Sequence, residues 1–177
     1  MLKTRLLLFG IAVLFCGCGQ APQAPALRDS PIYDNPGEGL RFMAPEGWRQ
    51  SVNSNLPSAL KKPARLVQYQ RQNASLEVLC VDETPQQPFQ LQEFHAGPSM
   101  GAQGWAESEP TEEIEINGKP AQRVLYKGRV GGRSMLKEVV VFRRDKRVYS
   151  FVSLYWEQEE KTGQQARRSI HTVVWRD

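Results

Sequence analysis

The sequence predicts an α+β domain in which a mostly antiparallel sheet packs against helices. Three observations carry this. Apolar and polar residues alternate with period two through most of residues 40–156, broken by turn residues. The pair Asn117-Gly118 stands between two such runs, the strongest two-residue hairpin signal in the chain. Near the C-terminus Ala166, Ile170, Val173 and Val174 recur at helical spacing opposite Glu159, Lys161, Arg167 and Arg168. A chain of 177 residues, 40% hydrophobic and 24% charged, is long and apolar enough for one domain with a true core, and its composition excludes collagenous and low-complexity classes.

Taken in order, residues 40–44 form a short strand closed by the turn Pro45-Glu46-Gly47, after which Trp48 folds back onto the sheet. Residues 64–71 and 75–82 read as a hairpin around Gln72-Asn73-Ala74, with Leu66 and Gln68 on one face and Val67 and Tyr69 on the other. Residues 89–96 read as a short helix with Phe89 and Phe94 inward, stopped by Gly97-Pro98. Residues 113–116 and 121–127 pair around Asn117-Gly118. After a turn over residues 128–132, residues 135–143 and 147–156 form a third hairpin around Arg144-Asp145-Lys146. Its strands are apolar on both faces: Val148, Val152 and Leu154 alternate with Tyr149, Phe151 and Tyr155. They therefore belong in mid-sheet with layers on both sides. The closing amphipathic segment is one cover.

The N-terminal region has a different character. Lys3 and Arg5 precede an apolar run from Leu6 to Phe15, followed by Cys16-Gly17-Cys18-Gly19. Ten residues at about 1.5 Å each reach roughly 15 Å, half of a roughly 30 Å hydrocarbon core, so this is a short export signal rather than a bilayer span. With small Gly17 and Gly19 flanking Cys18, residues 1–17 resemble a bacterial lipoprotein signal. The resemblance implies that Cys18 becomes the N-terminus and carries acyl chains on its sulfur and amine, because a thiol accepts the diacylglyceryl group and small neighbours admit the peptidase. Phe15 departs from the usual Leu, and its bulk before Cys16 disfavours that competing thiol. An ordinary secretory signal cut slightly further on is the alternative. Gly19, not being Asp, points to an outer membrane where the cell has one. Residues 18–30, with Pro22 and Pro25 and almost no core-forming residue, are a tether of up to roughly 35 Å at about 3.1 Å per residue. The globular domain then covers residues 31–177.

Gly39, Phe42, Pro45, Gly47 and Trp48, the central Asn117-Gly118 hairpin, and a final helix ending Ile170-x-x-Val-Val-Trp175 together resemble the PsbP-like superfamily, which includes the extrinsic photosystem subunit, Ran-binding Mog proteins and DcrB-type lipoproteins. The resemblance covers residues 31–175 and rests on folding features rather than a chemical signature. It implies a twisted antiparallel sheet between helices, an α/β/α sandwich, and a non-catalytic protein that binds or helps assemble other macromolecules.

The chain shows little chemistry. The formal charge of +4 includes Lys3 and Arg5; without them it is +2, which gives no reason to expect nucleic acid as a partner. His95 and His171 have no neighbours at metal-ligand spacing and read as helix-surface residues. Gly-x-Ser-x-Gly and His-Glu-x-x-His are absent, and Gly128-Arg-Val-Gly-Gly132 joins two strands, so it opens no helix toward a phosphate. Cys80, within Leu76-Glu-Val-Leu-Cys-Val81, reads as a buried thiol. Trp48, Trp105, Trp156 and Trp175 read as core and rim packing. No catalytic residue, metal site or cofactor is predicted.

The run Thr111-Glu-Glu-Ile-Glu115 and the cluster Arg143-Arg-Asp-Lys-Arg147 are opposite charge patches, each readable as a solvated edge or turn. A second reading joins Arg129, Arg133, Arg143, Arg144, Lys146 and Arg147 into one contact patch for an acidic protein surface or lipid headgroups. The expected protein is thus a lipid-anchored, non-catalytic binding or assembly component of the cell envelope, facing the periplasm or exterior, with an envelope protein as partner. The alternative is capture of a small hydrophobic or sugar ligand in a cleft between sheet and helix.

Overall fold

The computed structural model describes residues 32–51 and 63–176. The signal, the tether and Cys18 lie outside the described residues. The elements are β1 (Ile32–Asn35), β2 (Leu40–Met43), β3 (Arg49–Ser51), β4 (Ala64–Arg71), β5 (Ala74–Asp82), α1 (Leu91–Ala96), β6 (Ala106–Glu107), β7 (Glu112–Ile116), β8 (Lys119–Val130), β9 (Arg133–Arg144), β10 (Arg147–Trp156), α2 (Glu160–Ile170) and β11 (Val174–Trp175). Among the described residues the protein is mostly antiparallel β-sheet with two short helices.

An eight-stranded sheet runs β3-β4-β5-β10-β9-β8-β6, with β7 also paired to β8, and a three-stranded sheet runs β1-β2-β11. The doubly apolar hairpin β9–β10 sits at the centre of the large sheet, and its alternate residues feed two separate cores. Phe142 and Val140 of β9 and Tyr149, Phe151 and Tyr155 of β10 point to one face. Val139 and Val141 with Val148, Val152 and Leu154 point to the other. Tyr33, Leu40 and Phe42 of the small sheet, Ala166 and Ile170 of α2, and Val173 close the first face. That layer is therefore part helix and part sheet. Leu91 of α1, with Ala102 and Trp105, closes the second.

Several expectations are corrected in detail. The final helix stops at Ile170: Val173 is buried in the turn beyond it, and Val174 lies in β11, 48% exposed and paired with Arg41. The β-branched run Thr172-Val173-Val174 favours an extended chain, and β2 offers it a free edge. Thr172 fixes the turn, its Oγ1 accepting the Met43 amide at 2.8 Å and donating to the Ser169 carbonyl at 2.7 Å. In α1, Leu91 and His95 face inward one turn apart, while Phe94 is 36% exposed against Phe89. The predicted turn at 128–132 is shorter, because β8 continues to Val130. Gly128 is part of the strand and lies so close to the Trp105 ring that a Cβ would fall 2.8 Å from it. The first hairpin likewise turns on Gln72-Asn73 alone, Ala74 beginning β5.

The two sheets are tied at one corner. Gly39 accepts the Arg176 amide at 2.8 Å, and its φ of +63° is one that L side chains rarely adopt. A Cβ there would stand 2.8 Å from both Arg144 Nη1 and the Arg176 carbonyl oxygen. Gly47, at φ +73°, has open space around it. Left-handed backbone costs an L residue roughly 1–2 kcal/mol, and the Gly39 overlap adds to that. Gly39→Ala is therefore expected to destabilise by about 2–4 kcal/mol and Gly47→Ala by about 1–2 kcal/mol; urea unfolding of the two variants measures the difference.

Candidate functional site

Hairpin geometry divides the predicted basic patch. Arg129 and Arg133 flank the Gly131-Gly132 turn at one end of β9, and Arg143, Arg144, Lys146 and Arg147 surround the turn at the other. The eleven rises from Arg133 to Arg144, at about 3.4 Å each, place the two groups roughly 37 Å apart, too far to act as one surface. Arg133 stacks over Trp156 at 4.2 Å, and Arg129 donates to the Gly132 carbonyl at 3.3 Å.

At the β9–β10 end the cations differ in what they are free to do. Arg147 is committed: Nη1 donates to both Glu38 carboxylate oxygens at 2.7 and 2.8 Å, and Nε donates to Asp82 at 3.1 Å, pinning the β1–β2 turn to the large sheet. Tyr149 donates to the same Glu38 carboxylate at 2.8 Å. Arg143 donates to the Gln122 amide oxygen at 2.7 Å and stands 3.8 Å from Glu83. Arg144 donates from Nη2 to the Arg176 carbonyl at 2.6 Å, while its buried Nη1 has no hydrogen-bond partner among the described residues. Its nearest carboxylate, Asp145 at 3.8 Å, is 88% exposed at the side chain. Lys146 is exposed.

A cavity of about 260 Å³ opens beside these cations, lined by Lys119, Pro120, Phe142, Arg143, Arg144, Asp145 and Trp175. Its origin is a splay between strands. The β8–β9 ladder ends at Gln122↔Val141, although β8 begins at Lys119 and β9 runs on to Arg144. Pro120, in the gap, has no amide hydrogen to extend the ladder. Trp175 of β11 packs on Phe142 at 5.6 Å and Tyr149 at 4.7 Å, so the last strand supplies an aromatic wall to a basic opening. Arg143 and Arg144 were legible as candidates in the sequence. Lys119, Pro120, Phe142 and Trp175 were not, because three distant segments meet only through sheet pairing.

Two interior polar clusters lie on opposite faces of β9. On the α2 face Glu138 is fully buried; Arg167 of α2 donates to its two oxygens at 3.0 and 2.9 Å, and Arg123 to one at 2.6 Å. Burial raises the Glu138 pKa, but the hydrogen bonds from Arg167 and Arg123 outweigh it and leave the carboxyl below its ordinary value. On the α1 face Lys137 is 2% exposed; its Nζ donates to the His95 carbonyl at the end of α1 and lies 4.5 Å from the Trp105 ring centre. Burial pulls its pKa down to about 8, opposed by Glu77. Burial, with Lys137 adding to it, holds His95 down to about 3, and the imidazole shares a 3.2 Å hydrogen bond with Ser150. His95 is 4% exposed and thus a core residue, contrary to the helix-surface expectation, whereas His171 is exposed. The His95–Ser150 pair is sealed under α1 and open to no substrate. Cys80 is buried, and that burial, reinforced by Glu38, pushes its thiol up to about 11, far from a thiolate nucleophile.

Among the described residues no three His, Cys, Asp or Glu side chains gather where they could hold a metal ion, and no helix is long and apolar enough to cross a membrane. No protein-family model matches the chain, and no curated protein matches it by sequence. Among solved structures, the solution structure of cyanobacterial PsbP (CyanoP) from Synechocystis sp. PCC 6803 is similar at a TM-score of 0.61 and 13% identity, covering 82% of this chain and 91% of that one. A Pseudomonas aeruginosa protein of unknown function, PA94, aligns over 73% of this chain and 98% of its own at 13% identity and a TM-score of 0.47. The first likeness shows a PsbP-like fold.

The buried imidazole has a measurable consequence. Its pKa is lowered on folding, so between the unfolded value of about 6.5 and the folded value of about 3 the unfolded chain binds the extra proton. Stability is full above pH 6.5 and falls with acidification at up to about 1.4 kcal/mol per pH unit. Denaturant unfolding between pH 7 and 5 is expected to show this slope, offset in part by Glu77, whose carboxyl pKa burial raises, and His95→Gln to flatten it.

Proposed function

We propose that this chain is a lipid-anchored cell-envelope protein with a PsbP-like α/β/α sandwich that binds or helps assemble other macromolecules and carries no catalysis of its own. The observation that carries the anchoring is Gly17-Cys18-Gly19 directly after a basic start and a short apolar run. Two or three acyl chains on Cys18, at about 0.8 kcal/mol per buried methylene, suffice to hold a soluble domain on a membrane surface.

The arrangement of the domain supports an outward-facing contact. The tether joins the domain ahead of Ile32, and β1 runs from there to the Pro36–Gly39 turn beside Arg144 and Arg147, so the basic end lies one strand length beyond the entry of the tether. Arg143, Lys146 and Lys119 are accessible at that end, with Arg144 partly so. An acidic protein surface is the partner that this charge fits, bound away from the lipid. The small-ligand alternative would place its ligand between sheet and helices, where the two apolar clusters lie.

The full-length protein made in a bacterial host is expected to have an N-terminal peptide mass of acylated Cys18 and to enter the detergent phase on temperature-induced partitioning, while Cys18→Ser remains aqueous. A mature chain starting elsewhere and staying in water would overturn the anchoring. Crosslinking in intact cells is expected to recover a reproducible partner, reduced at least about threefold by Arg143→Glu/Lys146→Glu.

A further inference from the structure

The cavity at the splayed end of β8 and β9 combines three properties that partner binding does not require. It has a defined volume, about 260 Å³, just below the roughly 300–1,000 Å³ of pockets for drug-sized ligands, which suits a small molecule. Its floor is apolar and aromatic, Phe142 and Trp175 meeting edge to face at 5.6 Å. Its rim is cationic: Lys119 makes no ion pair among the described residues and Arg143 reaches a carboxylate only at 3.8 Å, while Arg144 adds charge from behind, its guanidinium held by the Arg176 carbonyl and lying 5.7 Å from the Trp175 ring centre. Three cations against Asp145 and the more distant Glu83 leave the opening net positive, and its partial enclosure strengthens any ion pair formed there. Guanidinium groups favour planar oxyanions, which they meet with two parallel hydrogen bonds.

We propose that this cavity binds a small monocarboxylate with a flat apolar body, the carboxylate between Lys119 and Arg143, the body against Trp175 and Phe142. The apolar floor distinguishes this class from inorganic phosphate, which would satisfy the cations and leave the aromatic wall wet. The site goes beyond the anchoring and partner reading and stands independently of it, since neither acylation nor a protein partner enters the argument.

The test is titration of the full-length chain in a mild non-ionic detergent, read by calorimetry and by the Trp175 indole resonance. The probes are benzoate, benzamide as its neutral isostere, acetate as the headgroup alone, and inorganic phosphate. Benzoate is expected to bind at least about tenfold more tightly than the other three and to move the Trp175 resonance. Lys119→Gln/Arg143→Gln is expected to weaken benzoate at least about tenfold while leaving benzamide unchanged. Lys119→Glu, at an exposed turn-side position, gives the same direction should the double variant fold poorly. Equal affinity for benzoate and phosphate, equal affinity for benzoate and benzamide, or benzoate binding untouched by these substitutions would each overturn the proposal.

Discussion

Strands β9 and β10 bury side chains on both faces, so the sheet is stable only when water is kept from both at once. Every other layer answers this demand. The small sheet with α2 covers Phe142, Tyr149 and Phe151, and α1 with the segment through Trp105 covers Val139, Val141 and Val152. Close approach is required of the covers: a Cβ at Gly163 of α2 would overlap the Tyr155 ring, so that glycine lets the helix rest directly on β10.

Each cover is also pinned by a polar contact, and the two pins are neighbours in sequence. Lys137 and Glu138 point to opposite faces because consecutive strand residues must. Glu138 binds Arg167 of α2, and Lys137 caps the last turn of α1 through the His95 carbonyl. Burying these charges is unfavourable in itself, and a well-packed apolar pair of similar volume would stabilise as much or more. Their value is positional. Apolar packing tolerates a sliding helix, whereas a guanidinium forked onto a carboxylate, or an ammonium on a terminal carbonyl, has one geometry.

Local sequence made the strands and turns legible. Asn117-Gly118, the alternation in residues 147–156 and the Pro45-Glu46-Gly47 turn are short-range signals, and pairing only had to realise them. Three features were hidden for physical reasons. His95 looks like a surface residue until Ser150, 55 positions away, supplies its partner beneath α1. The end of α2 was overrun because Val173 and Val174 continue the helical spacing, and only the free edge of β2 makes a strand the better state. The six cations read as one patch because they cluster in sequence, although a long hairpin sends its two turns to opposite ends of the molecule. The cavity was harder still, since its aromatic wall comes from β11, its floor from β9 and its rim from the start of β8 and the end of β9.

The closure of β2 by residues at the far end of the chain bears on how the protein is made. The Met43 amide meets the Thr172 hydroxyl across 129 positions, and Gly39 is bonded to Arg176. Loop-closure entropy makes such distant pairings late events in folding. During synthesis one face of the central hairpin accordingly lacks its cover until the last segment has emerged.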